Sequence, residues 1–122
     1  MSKTALIVDD SPTDVKVLSG MLERAGYRVS SAANAEAGLN LARETHPDLI
    51  VMDVIMPGMN GFQATRTLSK DPETSAIPVI IVTTKGMETD RVWGIRQGAK
   101  DFLVKPVGEQ ELVARIQALL PR

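Results

Sequence analysis

The sequence predicts one α/β domain over residues 1–122, a parallel sheet with helices on both faces, and three observations lead there. Short apolar runs rich in Val and Ile alternate with longer stretches at helical spacing, the pattern of repeated β-α units. The links between them have the lengths usual for βα and αβ loops. Three of the runs end on charged side chains: Asp9-Asp10 after Ala5–Val8, Asp53 after Leu49–Met52, and Lys105 after Phe102–Val104. A buried parallel strand that ends on a charge is delivering it to the carboxyl edge of a sheet, where α/β chemistry collects. Crossovers between parallel strands are right-handed, so helices must cover both faces.

Each element has its own signal. Strands are expected over 5–9, 28–32, 48–53, 78–83 and 101–105. In the first helix Val15, Leu18, Met21, Leu22 and Ala25 form a one-sided stripe, and Gly26 follows as a stop. Asn34 is placed to cap the second helix, with Ala37, Leu41 and Ala42 expected to face inward. The third begins near Asn60-Gly61, carries Phe62, Ala64 and Leu68, and ends at Asp71-Pro72. The fourth runs about 88–97 to Gly98, with Val92 and Ile95 inward and Trp93 off that stripe. The fifth has Leu112, Ile116 and Leu119 on one face, with Val113 and Leu120 flanking. The chain ends just after it, at Pro121-Arg122, so no output domain is expected.

Composition excludes several classes of function. With 14 basic and 15 acidic residues there is no bulk charge to attract nucleic acid or an anionic membrane. There is no cysteine, hence no disulfide, thiol nucleophile or zinc-thiolate site. The one histidine, His46, precedes Pro47 and reads as a surface residue between helix and strand. No signal peptide and no apolar stretch long enough to span a bilayer is evident, so a cytoplasmic location is expected.

Asp9-Asp10, Asp53, Met56-Pro57-Gly58-Met59-Asn60-Gly61, Thr83 and Lys105-Pro106 occur in order on successive elements. In this the chain resembles the response-regulator receiver domains of two-component signalling, over essentially its whole length. The resemblance implies a flavodoxin-like (CheY-like) sheet in the order 2-1-3-4-5. It implies that Asp53 accepts a phosphoryl group from a histidine kinase, that Thr83 and Lys105 contact that group, and that the Lys105-Pro106 peptide is cis. It makes Asp10, Asp53 and the backbone carbonyl of Ile55 ligands of a metal ion, with Asp9 reaching it through water. The residues agree with that assignment. Two carboxylates about 4 Å apart repel by roughly 4 kcal/mol at an effective dielectric of 20, so the cluster needs a cation. An all-oxygen donor set selects a hard ion, Mg²⁺ or Mn²⁺ in its place. The plainer roles are a helix cap for Asp9-Asp10, a backbone cap for Thr83 and a solvated strand-end lysine for Lys105.

The resemblance also implies a switch. Movement of Thr83 toward the phosphoryl group leaves room for Phe102 to turn inward, altering the face of helix four, strand five and helix five toward a downstream output protein. A permanently buried Phe102 is the plainer expectation. Trp93 is either packed on a neighbouring helix or an anchor on that face. By family analogy Ile55 and Lys85 flank the path of the water that removes the phosphoryl group. Residues Gly61 to Val107, including Ile77-Pro78-Val79-Ile80-Ile81-Val82-Thr83-Thr84-Lys85 and Val92-Trp93-Gly94, narrow the resemblance to stand-alone receivers of chemotaxis-like systems that control type IV pili and twitching motility. Such a protein is a phosphoacceptor rather than an enzyme, and a monomer is expected. A haloacid-dehalogenase-type aspartyl-phosphate hydrolase is the rival reading, but it wants a second Asp where Ile55 stands. The same residues would also suit a receiver cut from a larger regulator. A pseudo-receiver that only binds partners would not need the intact acid, Thr and Lys set, which argues against it.

Overall fold

A computed structural model describes residues 3–120. The expectation of a chain that stops at Pro121-Arg122 without an output domain lies outside the described residues. The elements run β1 (Lys3–Val8), α1 (Pro12–Arg24), β2 (Tyr27–Ala32), α2 (Ala35–Thr45), β3 (Leu49–Met52), α3 (Gly61–Lys70), β4 (Val79–Thr83), α4 (Glu88–Gln97), β5 (Asp101–Val104) and α5 (Glu109–Leu119). All pairings are parallel, and the sheet order is β2-β1-β3-β4-β5. This is the expected order. The strands end a residue or two from the sequence-derived bounds, so Asp9, Asp53 and Lys105 each stand one residue past a strand.

Two apolar layers hold the sheet. On one face Ala5, Ile7, Val51, Ile80, Val82 and Leu103 meet Leu18 and Leu22 of α1 and Leu112 and Ile116 of α5. On the other, Leu6, Val8, Ile50, Met52 and Val79 meet Ala35, Leu39 and Ala42 of α2 and Ala64 and Leu68 of α3. Neighbouring strand residues alternate between the layers, so a central strand has to be apolar throughout. Each fully buried Leu or Ile contributes about 1.5–3 kcal/mol. At the sheet edge β2 is less demanding: only Ala32 of that strand is buried.

Helix starts follow the expected capping chemistry. The Asn34 side chain accepts from the Ala37 N–H at 2.8 Å. Asn60 and Gln63 form a reciprocal capping box, at 2.9 and 3.0 Å. Ser11, not the preceding aspartates, caps α1 by accepting from the Asp14 N–H. His46 caps the C-terminus of α2 in the left-handed region at φ 46° and is exposed.

Two helix faces differ from expectation. Ala37 is exposed, and α2 instead buries Ala35, Gly38, Leu39 and Ala42. The helix turns that way because a side chain at position 38 would strike Val8 of β1, and its absence lets the backbone approach closely. On α4 Val92 and Ile95 are 45% and 42% exposed, and the buried residues are Gly94 and Gln97. A Cβ at position 94 would lie 2.9 Å from Ile81 and 3.2 Å from Phe102, so α4 docks through the absence of a side chain. Its apolar residues are left facing outward. Ala25, just past the end of α1, is exposed, while Val15 and Met21 of that helix are half-buried.

Candidate functional site

Sheet register assembles the site at the carboxyl edge. Val8 is level with Met52 across β1 and β3, and the Asp53 N–H donates to the Val8 carbonyl at 2.9 Å. Asp9 and Asp53 therefore leave adjacent strands side by side. Their carboxylates and that of Asp10 can offer oxygens within 4.8 Å of one another. Asp9 and Asp53 are 2% and 7% exposed, whereas Asp10 is exposed. Thr83 ends β4 fully buried, level with Val104, and the Lys105 N–H donates to the Thr83 carbonyl at 2.8 Å. The Lys105-Pro106 peptide is cis.

Lys105 reaches these acids directly. Its Nζ is 2.8 Å from Asp9 Oδ2 and 3.5 Å from Asp53 Oδ2. It is also 2.9 Å from Asp14 Oδ2, a residue that sequence reasoning did not select. The available signal was an acid in the first turn of the helix that follows Asp9-Asp10. That placement alone also fits a favourable helix-dipole interaction, so it does not single out a site residue. Burial alone would lower the Lys105 pKa, but the hydrogen bonds to Asp9 and Asp14 and the nearby Asp53 and Asp9 charges outweigh it and raise it. Asp53 moves the opposite way for an acid in an ion pair. Burial pushes its carboxyl up, Lys105 and Thr83 pull it down, Asp9 pushes it up again, and the net result is a raised pKa.

Backbone groups set the orientation of Asp53. The Val54 N–H donates to its Oδ1 at 2.8 Å, leaving Oδ2 toward Lys105. Asp9 Oδ1 accepts from the Ser11 N–H at 2.9 Å, which turns its Oδ2 toward the lysine. Gly61 packs the start of α3 directly on the carbonyl of Asp53, where any Cβ would collide with that oxygen. The glycine is thus a second positioning feature that sequence reasoning left unassigned.

The remaining expected residues lie around the site. Ile55, two residues past Asp53, is 54% exposed. The Lys85 N–H donates to Thr83 Oγ1 at 3.3 Å, while the Lys85 ammonium pairs with Asp90 of α4 at 3.1 Å. Phe102 is buried at 3% exposure among Val54, Phe62, Ile81 and Ala99. Trp93 is 49% exposed on the outer side of α4. No helix among the described residues is long and apolar enough to cross a membrane.

Known proteins are similar to this chain in sequence and in fold. The chain is 61% identical over 115 residues to protein PilH of Pseudomonas aeruginosa, covering 94% of this chain and 95% of PilH. Seven other curated relatives are longer, and the chain spans between 26% and 53% of their length. Among solved structures, a response regulator from Chloroflexus aurantiacus superposes with a TM-score of 0.95 at 35% identity, covering 100% of both chains. The receiver domain of the sensor histidine kinase PA1611 from Pseudomonas aeruginosa does so with a TM-score of 0.91 at 29% identity, again over 100% of both, and has a magnesium ion coordinated in its active-site cleft. The family profile of the response regulator receiver domain matches residues 5–117, and the chain belongs to that family.

Proposed function

We propose that Asp53 accepts a phosphoryl group from a phosphorylated histidine of a kinase, and that the chain relays this state to an output protein. The observation that carries the reading is the setting of Asp53. It is a buried carboxylate with one oxygen held by a backbone N–H and the other facing an ammonium at 3.5 Å, beside a buried Thr hydroxyl and two further acids. Oδ2 attacks phosphorus, the P–N bond to the histidine breaks as the P–O bond forms, and the imidazole leaves. Lys105 and Thr83 then face the anionic oxygens of the transferred group. Asp9, Asp10 and Asp53 fit a hard divalent cation by their all-oxygen donor set, and by family analogy the Ile55 carbonyl would join them. Mg²⁺, or Mn²⁺ in its place, would supply charge neutralisation on those oxygens.

Phe102 already lies inward, so the switch works through Thr83 and the β4–α4 segment around that ring rather than by drawing the ring in. The outward apolar residues of α4 then belong to the face read by the partner, with β5 and α5. The identity to PilH supports a place in chemotaxis-like control of type IV pilus twitching motility. The domain acts as a cytoplasmic monomer that is a phosphoacceptor rather than a turnover enzyme.

Acetyl phosphate with Mg²⁺ provides the test. Wild type should gain one phosphoryl group by mass, whereas Mg²⁺-free wild type and Asp53→Ala should gain none. Modification of Asp53→Ala to the wild-type extent would overturn the assignment.

A further inference from the structure

Lys105 sits closer to two other acids than to the phosphoacceptor. An ammonium has three donors. Two of them reach Asp9 and Asp14 at 2.8 and 2.9 Å, whereas Asp53 Oδ2 at 3.5 Å is beyond a good hydrogen bond. Asp14 differs from the other acids around this lysine. It comes from the first turn of α1 rather than from a strand end, and its side chain is 40% exposed. It is not among the carboxylates grouped closely enough to share an ion. It also lines a groove of about 350 Å³ with Val17, Leu18, Lys105, Pro106 and Val107, and none of the three clustered acids does so. Its carboxylate is not a helix cap, since Ser11 caps the Asp14 N–H.

We propose that Asp14 is a positioning residue that holds the Lys105 ammonium in a resting place away from Asp53, so that an arriving phosphoryl group has to win the lysine from it. The inference rests on the reading of Asp53 as phosphoacceptor. Two effects share one sign. Asp14 competes for a donor of Lys105, and its negative charge disfavours a second anion nearby. Asp14→Asn removes the charge and leaves only a neutral amide oxygen as a weaker acceptor for the lysine, while the Ser11 cap on the backbone remains.

Beryllofluoride, a phosphoryl mimic, gives the measurement when titrated calorimetrically into the Mg²⁺-loaded protein. Asp14→Asn should bind about two- to fivefold more tightly than wild type, the size of a partly exposed ion pair. A gain of affinity is not what simple structural damage produces. Acetyl phosphate labelling should accelerate by a similar factor in Asp14→Asn, and the same substitution should produce a clearly smaller acceleration, that of the charge alone, in a Lys105→Met background. Unchanged or weaker binding by Asp14→Asn overturns the proposal, as does an equal acceleration without Lys105, which would make Asp14 a general charge rather than a holder of the lysine. Failure of wild type to bind beryllofluoride overturns the phosphoacceptor reading itself, and this inference with it.

Discussion

Burial of Asp53 carries an energetic consequence. A carboxyl whose pKa in the folded state lies above its ordinary value of 3.8 holds its proton more tightly folded than unfolded. Its contribution to stability is present below 3.8 and is lost as pH rises through the folded value. Ionisation of Asp53 is therefore less favourable in the folded protein than in the unfolded chain. Asp53→Asn should raise the melting temperature of the metal-free protein at pH 7. An unchanged or lower melting temperature would show that Lys105 and the Val54 N–H already offset the burial. Asp14 has the opposite sign: the hydrogen bond from Lys105 lowers its pKa, so its contribution is present above 3.8 and fades as pH falls below that. In the proposed function Ile55 and Lys85 would bear on the lifetime of the phosphoryl group rather than on stability. Ile55 can orient no water, and the Lys85 ammonium is drawn to Asp90. The double change Ile55→Asn with Lys85→Glu should speed the loss of radiolabelled phosphate at fixed Mg²⁺. Equal or slower decay would show that these positions do not govern the rate.

Among the helices, α4 is the least conventional. Its outward face carries Val92, Trp93 and Ile95, while Gly94 and Gln97 face the protein. Few apolar side chains anchor it, so it is the helix most easily repositioned. A half-exposed Trp on such a helix contributes little to folding. Trp93→Ala should change stability by no more than about 0.5 kcal/mol in a thermal melt, leave acetyl phosphate labelling intact, and abolish pilus control when returned to cells lacking the gene. Normal motility with that variant would make Trp93 a packing residue only. The inward stripe expected from Val92 and Ile95 was misassigned because periodicity records where apolar residues recur, not which face meets the sheet. That was decided by Gly94, whose missing side chain admits Ile81 and Phe102. Gly38 does the same for α2 against Val8.

For the whole molecule, a divalent cation held as proposed would be thermodynamically linked to the fold. An ion that binds only the folded state adds about 2.7 kcal/mol at a hundred times its dissociation constant. Titrating Mg²⁺ should therefore raise the melting temperature by several degrees, and Asp10→Asn should abolish that increase. Because Asp10 is exposed, the metal-free melting temperature of this variant should stay close to wild type. An undiminished Mg²⁺ response in Asp10→Asn would remove Asp10 from the ligand set.

The alternation of apolar runs and helical stripes by itself determined the α/β class, because a strand buried on both faces has to be continuously apolar. The strand-end positions of Asp9, Asp53, Thr83 and Lys105 were legible for the same reason. The strand order was legible only through the family resemblance, and the register through the tertiary structure. Asp14 meets Lys105, 91 residues away in the chain, only because α1 starts beside the end of β5. Gly61 and Gly94 matter for the side chain they lack, which becomes visible only once another element occupies that space. Local pattern records what a residue prefers. Which neighbour satisfies that preference is a long-range packing outcome, and only the tertiary structure decided it.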